Sequence, residues 1–336
     1  MKVLVVAPNW IGDALLAQPM LARLREKDPA VRIEALGPPW IAPVLRRMPE
    51  VDEVIEADLR HGELQLAQRW RLGRRLGARN YDQAVVLPNS FKSALLPFFA
   101  GIPERVGYAG EFRYGFLNRV HRATKAPMAL HYARLSEPPG TEPAQPLPAT
   151  ILRCHPGAWA AAAASFGIAG PYCVLCPGAE YGPAKRWPYF ADLAPKLPLR
   201  AVLLGSAKDT DACAGIAGLN LAGKTTLEQA MDLIAGAAFV VSNDSGLMHI
   251  AAALGRPLLA LYGSSSPEHT PPRSARAKVL WLHPDCSPCF ARECPLGHFR
   301  CMRELSPDRV LAEIPKTGTG EDFREQWRNR GPSPIS

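Results

Sequence analysis

The segment from residue 237 to residue 263 constrains the fold of this chain more than any other stretch. Its sequence, AAFVVSNDSGLMHIAAALGRPLLALYG, predicts a buried strand over residues 239–242, a helix over residues 244–254 and a second buried strand over residues 257–262. In this interpretation Gly255 closes the helix. The two strands and the helix between them form one β-α-β unit, which is the building block of a parallel sheet.

The turn that enters the predicted helix is Asn243-Asp244-Ser245-Gly246. It places two helix-capping side chains and a glycine where the backbone N–H groups of the first turn are free, which favours a phosphate or another anion. The alternative is that Asp244 and Ser245 serve only as helix caps. His249 lies one helical turn beyond Ser245, so it is either a contact to the same ligand or a structural histidine.

The rest of the chain repeats this alternation in two series. The first reads as strands over residues 2–7, 31–36, 51–56 and 83–87 and helices over residues 13–26, 40–48 and 64–76. The second reads as strands over residues 173–176 and 200–204 and helices over residues 189–196 and 226–235, followed by the segment 237–263. The predicted fold class is therefore α/β, with doubly wound parallel sheets that bind ligands beyond the carboxyl ends of their strands.

A proline-rich segment separates the two series. Residues 137–148, EPPGTEPAQPLP, can sustain neither a helix nor a central strand, so we predict a linker there. A length of 336 residues fits two domains, which we place at residues 1–150 and 151–314. Residues 315–336 are polar and rich in glycine and proline, and we predict a disordered tail.

Charge and hydropathy narrow the class of protein. No run approaches the roughly 18 apolar residues of a membrane span, and the opening apolar run is too short for a signal peptide, so we expect a cytoplasmic protein. The net charge of +8 includes the run Arg69, Arg71, Arg74, Arg75 and Arg79. Such a run fits a solvated helix face, and also an anionic membrane surface or a phosphorylated acceptor. No nucleic-acid-binding motif accompanies the charge, so we expect no nucleic-acid partner.

The first predicted strand leads into Pro8-Asn9-Trp10-Ile11-Gly12-Asp13. Asp13 therefore lies at the start of a helix and at the carboxyl edge of the first sheet. A carboxylate at this place is either a helix cap or a working acid or base.

A second candidate loop follows the first strand of the second series. Residues 177–188, PGAEYGPAKRWP, place Lys185 and Arg186 side by side before a predicted helix. A lysine acts as a point charge and an arginine as a planar fork of donors, so the pair suits a diphosphate. Glu180 lies in the same loop. The alternative is an exposed loop with incidental charge. Asp209 follows the next strand, where a carboxylate could bind ribose hydroxyls.

Residues 218–225, GLNLAGKT, match the phosphate-binding pattern G-x-x-x-x-G-K-[ST]. The context contradicts such a loop, because residues 219–221 look like a strand inside it and the residues before Gly218 read as helix. We therefore predict no nucleotide-triphosphatase loop here, although Lys224 and Thr225 could line a nucleotide pocket.

Four of the eight cysteines cluster late in the chain, as Cys286, Cys289, Cys294 and Cys301. The C-x2-C pair has the spacing of metal ligands, and His298 adds a further candidate. The second half of the cluster lacks a matching C-x2-C or H-x3-H pair. Reduced structural thiols are therefore the expected state, with zinc binding and redox chemistry left open.

Three of these segments together resemble glycosyltransferase family 9. They are PNWIGDALLAQPML near the N-terminus, CPGAEYGPAKRWP in mid-chain and SNDSGLMHIAAALGRPLLALYG, and they occur in the family's order. The resemblance covers nearly all of residues 1–314. It implies a GT-B architecture of two Rossmann-like domains that face a cleft, with the acceptor bound by the first domain and ADP-heptose by the second.

The resemblance also implies roles for individual residues. The aspartate that matches Asp13 is the family's proposed catalytic base, and Gly12 lets the acceptor approach it. The matching lysine, Lys185, contacts the donor phosphates and so belongs to the catalytic set. The remaining expected substrate-binding residues are Asn9, Glu180, Arg186, Asp209, Lys224, Asp244, Ser245, Gly246 and His249.

The reaction that the resemblance implies is an inverting transfer of heptose from ADP-heptose onto the first heptose of the lipopolysaccharide inner core. The acceptor is anchored in lipid, so we expect peripheral contact with the cytoplasmic face of the inner membrane. Positive groups around the diphosphate take the place of a cation, so we expect no metal ligand and no cofactor. The open alternatives are a heptosyltransferase I, another nucleotide-sugar transferase of the family, a sugar-nucleotide epimerase of the same two-domain plan, and a non-enzymatic nucleotide-binding module.

Overall fold

The computed structural model describes residues 1–59 and 62–315. The chain divides into two compact units, the first running from Met1 to Leu152 and the second beginning at Arg153. The predicted linker at residues 137–148 lies near the end of the first unit, and these residues, all of them described, contain neither helix nor strand. The predicted tail lies outside the described residues from residue 316 onward.

The first unit contains a six-stranded parallel sheet. Its strands are β1 (Lys2–Val6), β2 (Arg32–Gly37), β3 (Glu53–Glu56), β4 (Gln83–Val86), β5 (Glu104–Tyr108) and β6 (Arg119–His121). Their order is β3-β2-β1-β4-β5-β6, so the direction of strand addition reverses between β1 and β4. Doubly wound sheets bind ligands at the carboxyl ends of the two strands where such a reversal occurs.

The helices of this unit are α1 (Ile11–Leu16), α2 (Gln18–Lys27), α3 (Ala42–Arg46), α4 (Leu66–Gly77), α5 (Phe91–Phe99) and α6 (Met128–Ala133). The prediction of one continuous helix over residues 13–26 is wrong, because the chain breaks at Ala17 between α1 and α2. Pro19 accounts for the break, since it has no N–H to donate and its ring would clash with the carbonyl of Leu15 in a continuous helix.

The arginine run lies in and after α4. Arg69 is buried, and its guanidinium donates to two backbone carbonyl oxygens, one before α4 and one in the first turn of α5. The prediction of a solvated face is therefore wrong for Arg69, which ties two helices together. Arg79 pairs with two glutamates of the sheet. The exposed members are Arg71, Arg74 and Arg75.

The second unit also contains a six-stranded parallel sheet. Its strands are β7 (Tyr172–Cys176), β8 (Arg200–Leu203), β9 (Leu219–Asn220), β10 (Val240–Asn243), β11 (Leu258–Tyr262) and β12 (Ala277–Trp281). Their order is β12-β11-β10-β7-β8-β9, so the reversal lies between β7 and β10. The two sheets have one topology, in which β7 and β10 correspond to β1 and β4. The predicted α/β class with two doubly wound parallel sheets is confirmed.

The helices of the second unit are α7 (Ala158–Ser165), α8 (Phe190–Leu193), α9 (Leu227–Gly236), α10 (Gly246–Ala253), α11 (Arg300–Arg303) and α12 (Pro307–Ala312). The strands β7, β10 and β11 are buried along their whole length. Their apolar side chains form one core cluster with α8, α11 and α12. In the described part of the chain, no helix combines the length and the apolar character needed to cross a membrane.

Candidate active site

The candidate site of the second unit lies at the reversal between β7 and β10. Loops leave the carboxyl ends of neighbouring strands there, at residues 177–187 after β7, 204–209 after β8, 244–245 after β10 and 263–266 after β11. Parallel strands end at one edge of a sheet, so the fold brings these loops together. The loops that the sequence singles out as a phosphate site therefore share one edge.

The turn after β10 starts α10. Ser245 is the N-cap of α10, and its hydroxyl oxygen accepts a hydrogen bond from the backbone N–H of Met248 at 3.4 Å. The capping role of Ser245 is thus confirmed. The cap alternative for Asp244 is wrong, because β10 continues through Asn243 and α10 begins only at Gly246.

Asp244 is buried and gathers three side chains around its carboxylate. Its Oδ2 atom accepts hydrogen bonds from Lys185 Nζ and from Ser265 Oγ, each at 2.5 Å. His249 Nε2 lies 4.0 Å from Oδ1. The Lys185 side chain is 16% exposed and that of Asp244 is 5% exposed, so the lysine is the less buried member of this pair. The structure thus joins Lys185 to the turn that opens α10.

A short 3-10 turn, Pro183–Lys185, positions the Lys185 ammonium. Its Nζ atom lies 4.8 Å from the centroid of the Tyr181 ring, a distance at which an aromatic face attracts a cation. The neighbouring Arg186 donates from Nη2 to the carbonyl oxygen of Ala179 at 3.3 Å. Arg186 therefore braces its own loop, whereas Lys185 reaches the turn after β10.

Asn243 holds the Lys185 loop to the sheet and is absent from the residues predicted from the sequence. Its Oδ1 atom accepts a hydrogen bond from the backbone N–H of Trp187 at 3.1 Å, and its Nδ2 atom donates to the carbonyl oxygen of Pro177 at 2.7 Å. Both ends of residues 177–187 are thereby fixed. The sequence signal is an amide side chain at the end of a buried strand, since a buried amide needs hydrogen-bond partners.

His249 is buried next to the ion pair of Lys185 and Asp244. Burial lowers the pKa of His249 to about 4, against the opposing effect of Asp244 and with a further lowering by Lys185. The imidazole is therefore neutral at neutral pH. A neutral ring has one donor and one acceptor nitrogen, so it contributes hydrogen bonds to the site without adding charge.

Asp209 has structural partners in the next loop. Its Oδ2 atom accepts hydrogen bonds from the backbone N–H and the hydroxyl of Ser206 at 2.9 and 2.8 Å, which closes a capping box. Its Oδ1 atom is buried and finds no hydrogen-bond partner among the described residues. A Cβ atom at Gly178 would lie 2.1 Å from this oxygen, so the loop after β7 needs glycine there. Ribose binding by Asp209 stays a prediction.

Glu180 and Lys224 lie at the margin of this site. Glu180 forms an exposed ion pair with Lys208 at 2.6 Å. Lys224 Nζ donates to the carbonyl oxygen of Asn220 at 3.1 Å, within the segment that matches the phosphate-binding pattern. That segment contains β9, and Thr226 caps α9, so its lysine does not open a helix. The prediction that it forms no nucleotide-triphosphatase loop is confirmed.

The candidate residues of the first unit follow β1 at the reversal of the other sheet. Asp13 lies in the first turn of α1 after Gly12, and the N-cap is Trp10, so the cap alternative for Asp13 is wrong. The backbone carbonyl of Asn9 accepts a hydrogen bond from a tryptophan indole at 3.0 Å. Burial raises the pKa of Tyr132 well above its ordinary value, and the charge of Asp13 adds to this effect. The Asp13 carboxylate therefore lies near α6.

The cysteine cluster forms a loop after β12, and its four thiols are free. Burial raises the pKa of Cys301 to about 11, and the nearby thiols of Cys286, Cys289 and Cys294 add to the rise. The fold therefore groups all four side chains. Burial also acts to raise the pKa of Cys294, but backbone N–H groups of residues 296–299 outweigh it and lower that pKa.

Comparison with known proteins assigns the family. The sequence profile of glycosyltransferase family 9 (heptosyltransferase) matches residues 69–300. Lipopolysaccharide heptosyltransferase 2 of Escherichia coli (strain K12) is 43% identical over 339 aligned residues, which cover 94% of this chain and 97% of that protein. This chain belongs to glycosyltransferase family 9.

Further relatives support membership of glycosyltransferase family 9. Lipooligosaccharide heptosyltransferase 2 of Haemophilus influenzae is 42% identical over 341 residues, covering 94% of this chain and 98% of that protein. The solved structure of E. coli ADP-heptose lps heptosyltransferase II has a TM-score of 0.84 at 38% identity and covers 98% of this chain and 99% of that chain. The resemblance found in the sequence, the GT-B type of fold and the assignment as a glycosyltransferase are confirmed.

Proposed function

We propose that this chain transfers heptose from ADP-heptose onto the first heptose of the lipopolysaccharide inner core, with inversion of the anomeric carbon. The observation that supports it best is the position of the Lys185 ammonium, which lies against the residues that open α10. Similarity to heptosyltransferase 2 proteins over nearly the whole chain supports the choice of donor and acceptor.

The second unit is proposed as the donor domain. The backbone N–H groups of Gly246 and Leu247, the first two residues of α10, have no partner within the helix, and a helix N-terminus attracts anions. Lys185 adds a positive charge at the same place. The negative charge of ADP-heptose lies on its diphosphate, so we place the phosphates against Lys185 and this turn. Ser245 and His249 would add neutral hydrogen-bonding groups.

The nucleoside and sugar of the donor require further contacts around the diphosphate. The loops after β7 and β8 end at the same edge as the turn after β10. We assign Arg186 and Glu180 from the first loop, Asp209 from the second and Lys224 beyond it to these contacts. Each now bonds to protein groups, so donor binding would exchange some of those partners.

The first unit is proposed as the acceptor domain, with Asp13 as the base. The carboxylate follows β1 at the reversal point of its sheet, where a substrate is expected. Asp13 is the third residue of α1 and not its N-cap, so its carboxylate stands in the first turn of the helix. Asn9 and Gly12, on the same turn, would border the acceptor sugar.

The proposed transfer is a single displacement. The acceptor oxygen forms a bond to the anomeric carbon and gives its proton to Asp13. The bond from that carbon to the β-phosphate oxygen breaks at the same time, and ADP leaves with the bonding electron pair. Lys185 and the first-turn amides of α10 stabilise the negative charge that grows on the departing diphosphate. Attack on the face opposite the leaving group inverts the sugar.

We also propose peripheral contact with the cytoplasmic face of the inner membrane through α4. Arg71, Arg74 and Arg75 are exposed, and Trp70, which precedes them on the same helix, is 54% exposed. A basic side chain near an anionic lipid surface contributes about 1 kcal/mol, and tryptophan favours the interface. Changing the three arginines to glutamate should abolish co-sedimentation with phosphatidylglycerol vesicles. Undiminished sedimentation of that variant would refute this surface.

The test of the proposed reaction is transfer of labelled heptose to purified acceptors that bear zero, one or two heptoses. Product should form from ADP-heptose and the acceptor with one heptose. If only the acceptor that bears no heptose yields product, the chain catalyses the heptosyltransferase I step. Binding of ADP-heptose with no turnover on any acceptor would leave only a nucleotide-binding module and overturn the proposal.

A further inference from the structure

The loop that follows β12 surrounds a small cavity with sulfur. The thiols of Cys286, Cys289, Cys294 and Cys301 all line one cavity of about 20 Å³. Residues 286–301 supply most of the lining, and Ala184 and Ser264 complete it. The four cysteines that cluster in the sequence therefore also converge in space.

The cavity is open to solvent on one side, because Cys289 and Leu296 in its lining are exposed. Ordered water stays in a space of this size only where polar groups bind it. Thiols are weak hydrogen-bond partners, so four of them provide little to retain water. They are, however, strong ligands of thiophilic metal ions, and the space at their centre has the size of a single small occupant.

The backbone around Cys294 is arranged as it is around metal-bound thiolates. The backbone N–H of Phe299 donates to Cys294 Sγ at 3.4 Å, and His298 Nδ1 lies 4.0 Å from the same sulfur. Gly297 and Phe299 both have positive φ, at 70° and 51°, which curls the chain around that sulfur. An amide that points at sulfur stabilises the anionic thiolate, which is the form that binds metal.

We propose that Cys286, Cys289, Cys294 and Cys301 form a tetrathiolate site for one structural divalent metal ion, Zn²⁺ or Fe²⁺. Among the described residues, no three Cys, His, Asp or Glu side chains are already arranged to hold an ion. Binding would therefore draw the thiols inward, to about 2.3 Å from a zinc ion. The proposal departs from the sequence expectation of reduced structural thiols without metal.

The metal loop, residues 286–301, braces the proposed phosphate site from outside. The carbonyl oxygen of Arg292 accepts a hydrogen bond from the backbone N–H of Ala184 at 3.0 Å, next to Lys185. The hydroxyl of Tyr181 donates to the carbonyl oxygen of Phe290 at 2.5 Å. These contacts tie the loop that carries Lys185 to the metal loop.

A second set of contacts fixes the loop after β11, which supplies the Ser265 partner of Asp244. The hydroxyl of Ser287 donates to the carbonyl oxygen of Gly263 at 2.6 Å. The backbone N–H of Phe290 donates to the carbonyl oxygen of Ser264 at 2.7 Å. An ion held by the four thiols would therefore order the two loops that supply Lys185 and Ser265 to the Asp244 carboxylate. Metal binding does not depend on the proposed function, whereas its effect on the donor site does.

The test measures metal content of the full chain, purified without chelator from cells supplied with zinc and iron. We expect about one equivalent of one of these metals per chain. Cys289→Ser should lose most of it, because it removes one ligand at an exposed position where the fold tolerates serine. Cys154→Ser, an exposed cysteine outside the loop, is the matched control and should retain the full equivalent.

Cobalt provides a readout that is independent of activity. Co²⁺ added to the chelator-treated chain should give thiolate-to-metal charge-transfer absorption, and this absorption should be strongly reduced in Cys289→Ser but not in Cys154→Ser. ADP binding should weaken on metal removal and recover on metal return. A folded parent chain without metal and without the cobalt absorption would overturn the proposal. So would equal metal content in the parent and Cys289→Ser, which would identify adventitious binding elsewhere. Recovery of metal binding with unchanged ADP affinity would overturn only the bracing role.

Discussion

Replacing Lys185 with alanine tests the proposed phosphate contact. The change removes the ammonium that lies 2.5 Å from the Asp244 carboxylate and belongs to the less buried residue of the pair. A hydrogen bond to a charged group is worth about 1.5–3 kcal/mol, so ADP should bind about 10- to 150-fold more weakly, and transfer should slow. Isothermal titration of the parent and Lys185→Ala with ADP measures the effect.

The same change also removes a partner from the buried Asp244 carboxylate. Ser265 still donates to that carboxylate, so we expect a loss of about 1–3 kcal/mol in unfolding free energy and a folded protein. Weaker ADP binding could then arise from a displaced turn instead of a lost contact. Asp244→Asn distinguishes a displaced turn from a lost phosphate contact. It breaks the ion pair between the two side chains, but the chain still carries the Lys185 ammonium.

A double-mutant cycle of these two positions therefore decides the role of the lysine. If Lys185 contacts phosphate, Lys185→Ala should weaken ADP binding by about tenfold or more even in the Asp244→Asn background. If Lys185 only anchors Asp244, the two single variants and the double variant should lose affinity equally. Lys208→Ala is the control, an exposed cation of the next loop whose removal should change ADP affinity by less than about twofold. Unchanged affinity in Lys185→Ala would refute the contact.

Glu34 is buried and accepts hydrogen bonds from Arg79 and from the hydroxyl of Tyr81. Glu34→Gln should therefore lower the unfolding free energy by about 2–4 kcal/mol in urea titrations, whereas Glu53→Gln, at a partly exposed position, should lower it by less than about 1 kcal/mol. Equal losses in the two variants would contradict this prediction. The pKa of His249 is about 4 in the folded chain and near 6.5 in the unfolded chain, so the unfolded chain binds the proton first as the pH falls. The free energy of unfolding should therefore decrease by about 1.4 kcal/mol for each pH unit as the pH is lowered from 6.5 to 4. His249→Gln should remove that part of the slope, and parallel pH profiles of the two proteins would refute it. Asn243→Ala frees both ends of the Lys185 loop and should weaken ADP binding, with a smaller loss in Asn243→Asp, which keeps the acceptor for Trp187 but not the donor to Pro177. Full ADP affinity in Asn243→Ala would show that the loop needs no such anchor.

The elements with uninterrupted apolar runs were predictable from the sequence. Strands β10 and β11 lie within one residue of their predicted bounds at each end, because both are buried along their whole length and Gly255 closes the helix between them. Helix α5 gives no helical period in the sequence FKSALLPFF, because it contains Pro97 and is apolar on most sides. Strand β6 has three residues and forms through its pairing with β5, which no local pattern reveals.

The site was predictable as a set of loops but not as a set of contacts. The topology of a doubly wound sheet implies that the loop with Lys185 and the turn with Asp244 share an edge, whereas their ion pair depends on side-chain placement. The structural role of Asp209 has a sequence signal, the spacing Ser206-x-x-Asp209 of a capping box. Asn243 and Ser265 bond to partners distant in sequence, so only the folded chain identifies those partners.

The turnover of Asp13→Asn tests the proposed chemistry most directly. The amide keeps the size of the carboxylate, and Asp13 is not the N-cap of α1, so the chain should fold. We predict that kcat for heptose transfer to the acceptor with one heptose falls by about 10²–10⁴-fold, the usual cost of losing a general base, while ADP affinity matches that of the parent. A kcat near the parental value would contradict the assignment of Asp13 as the base.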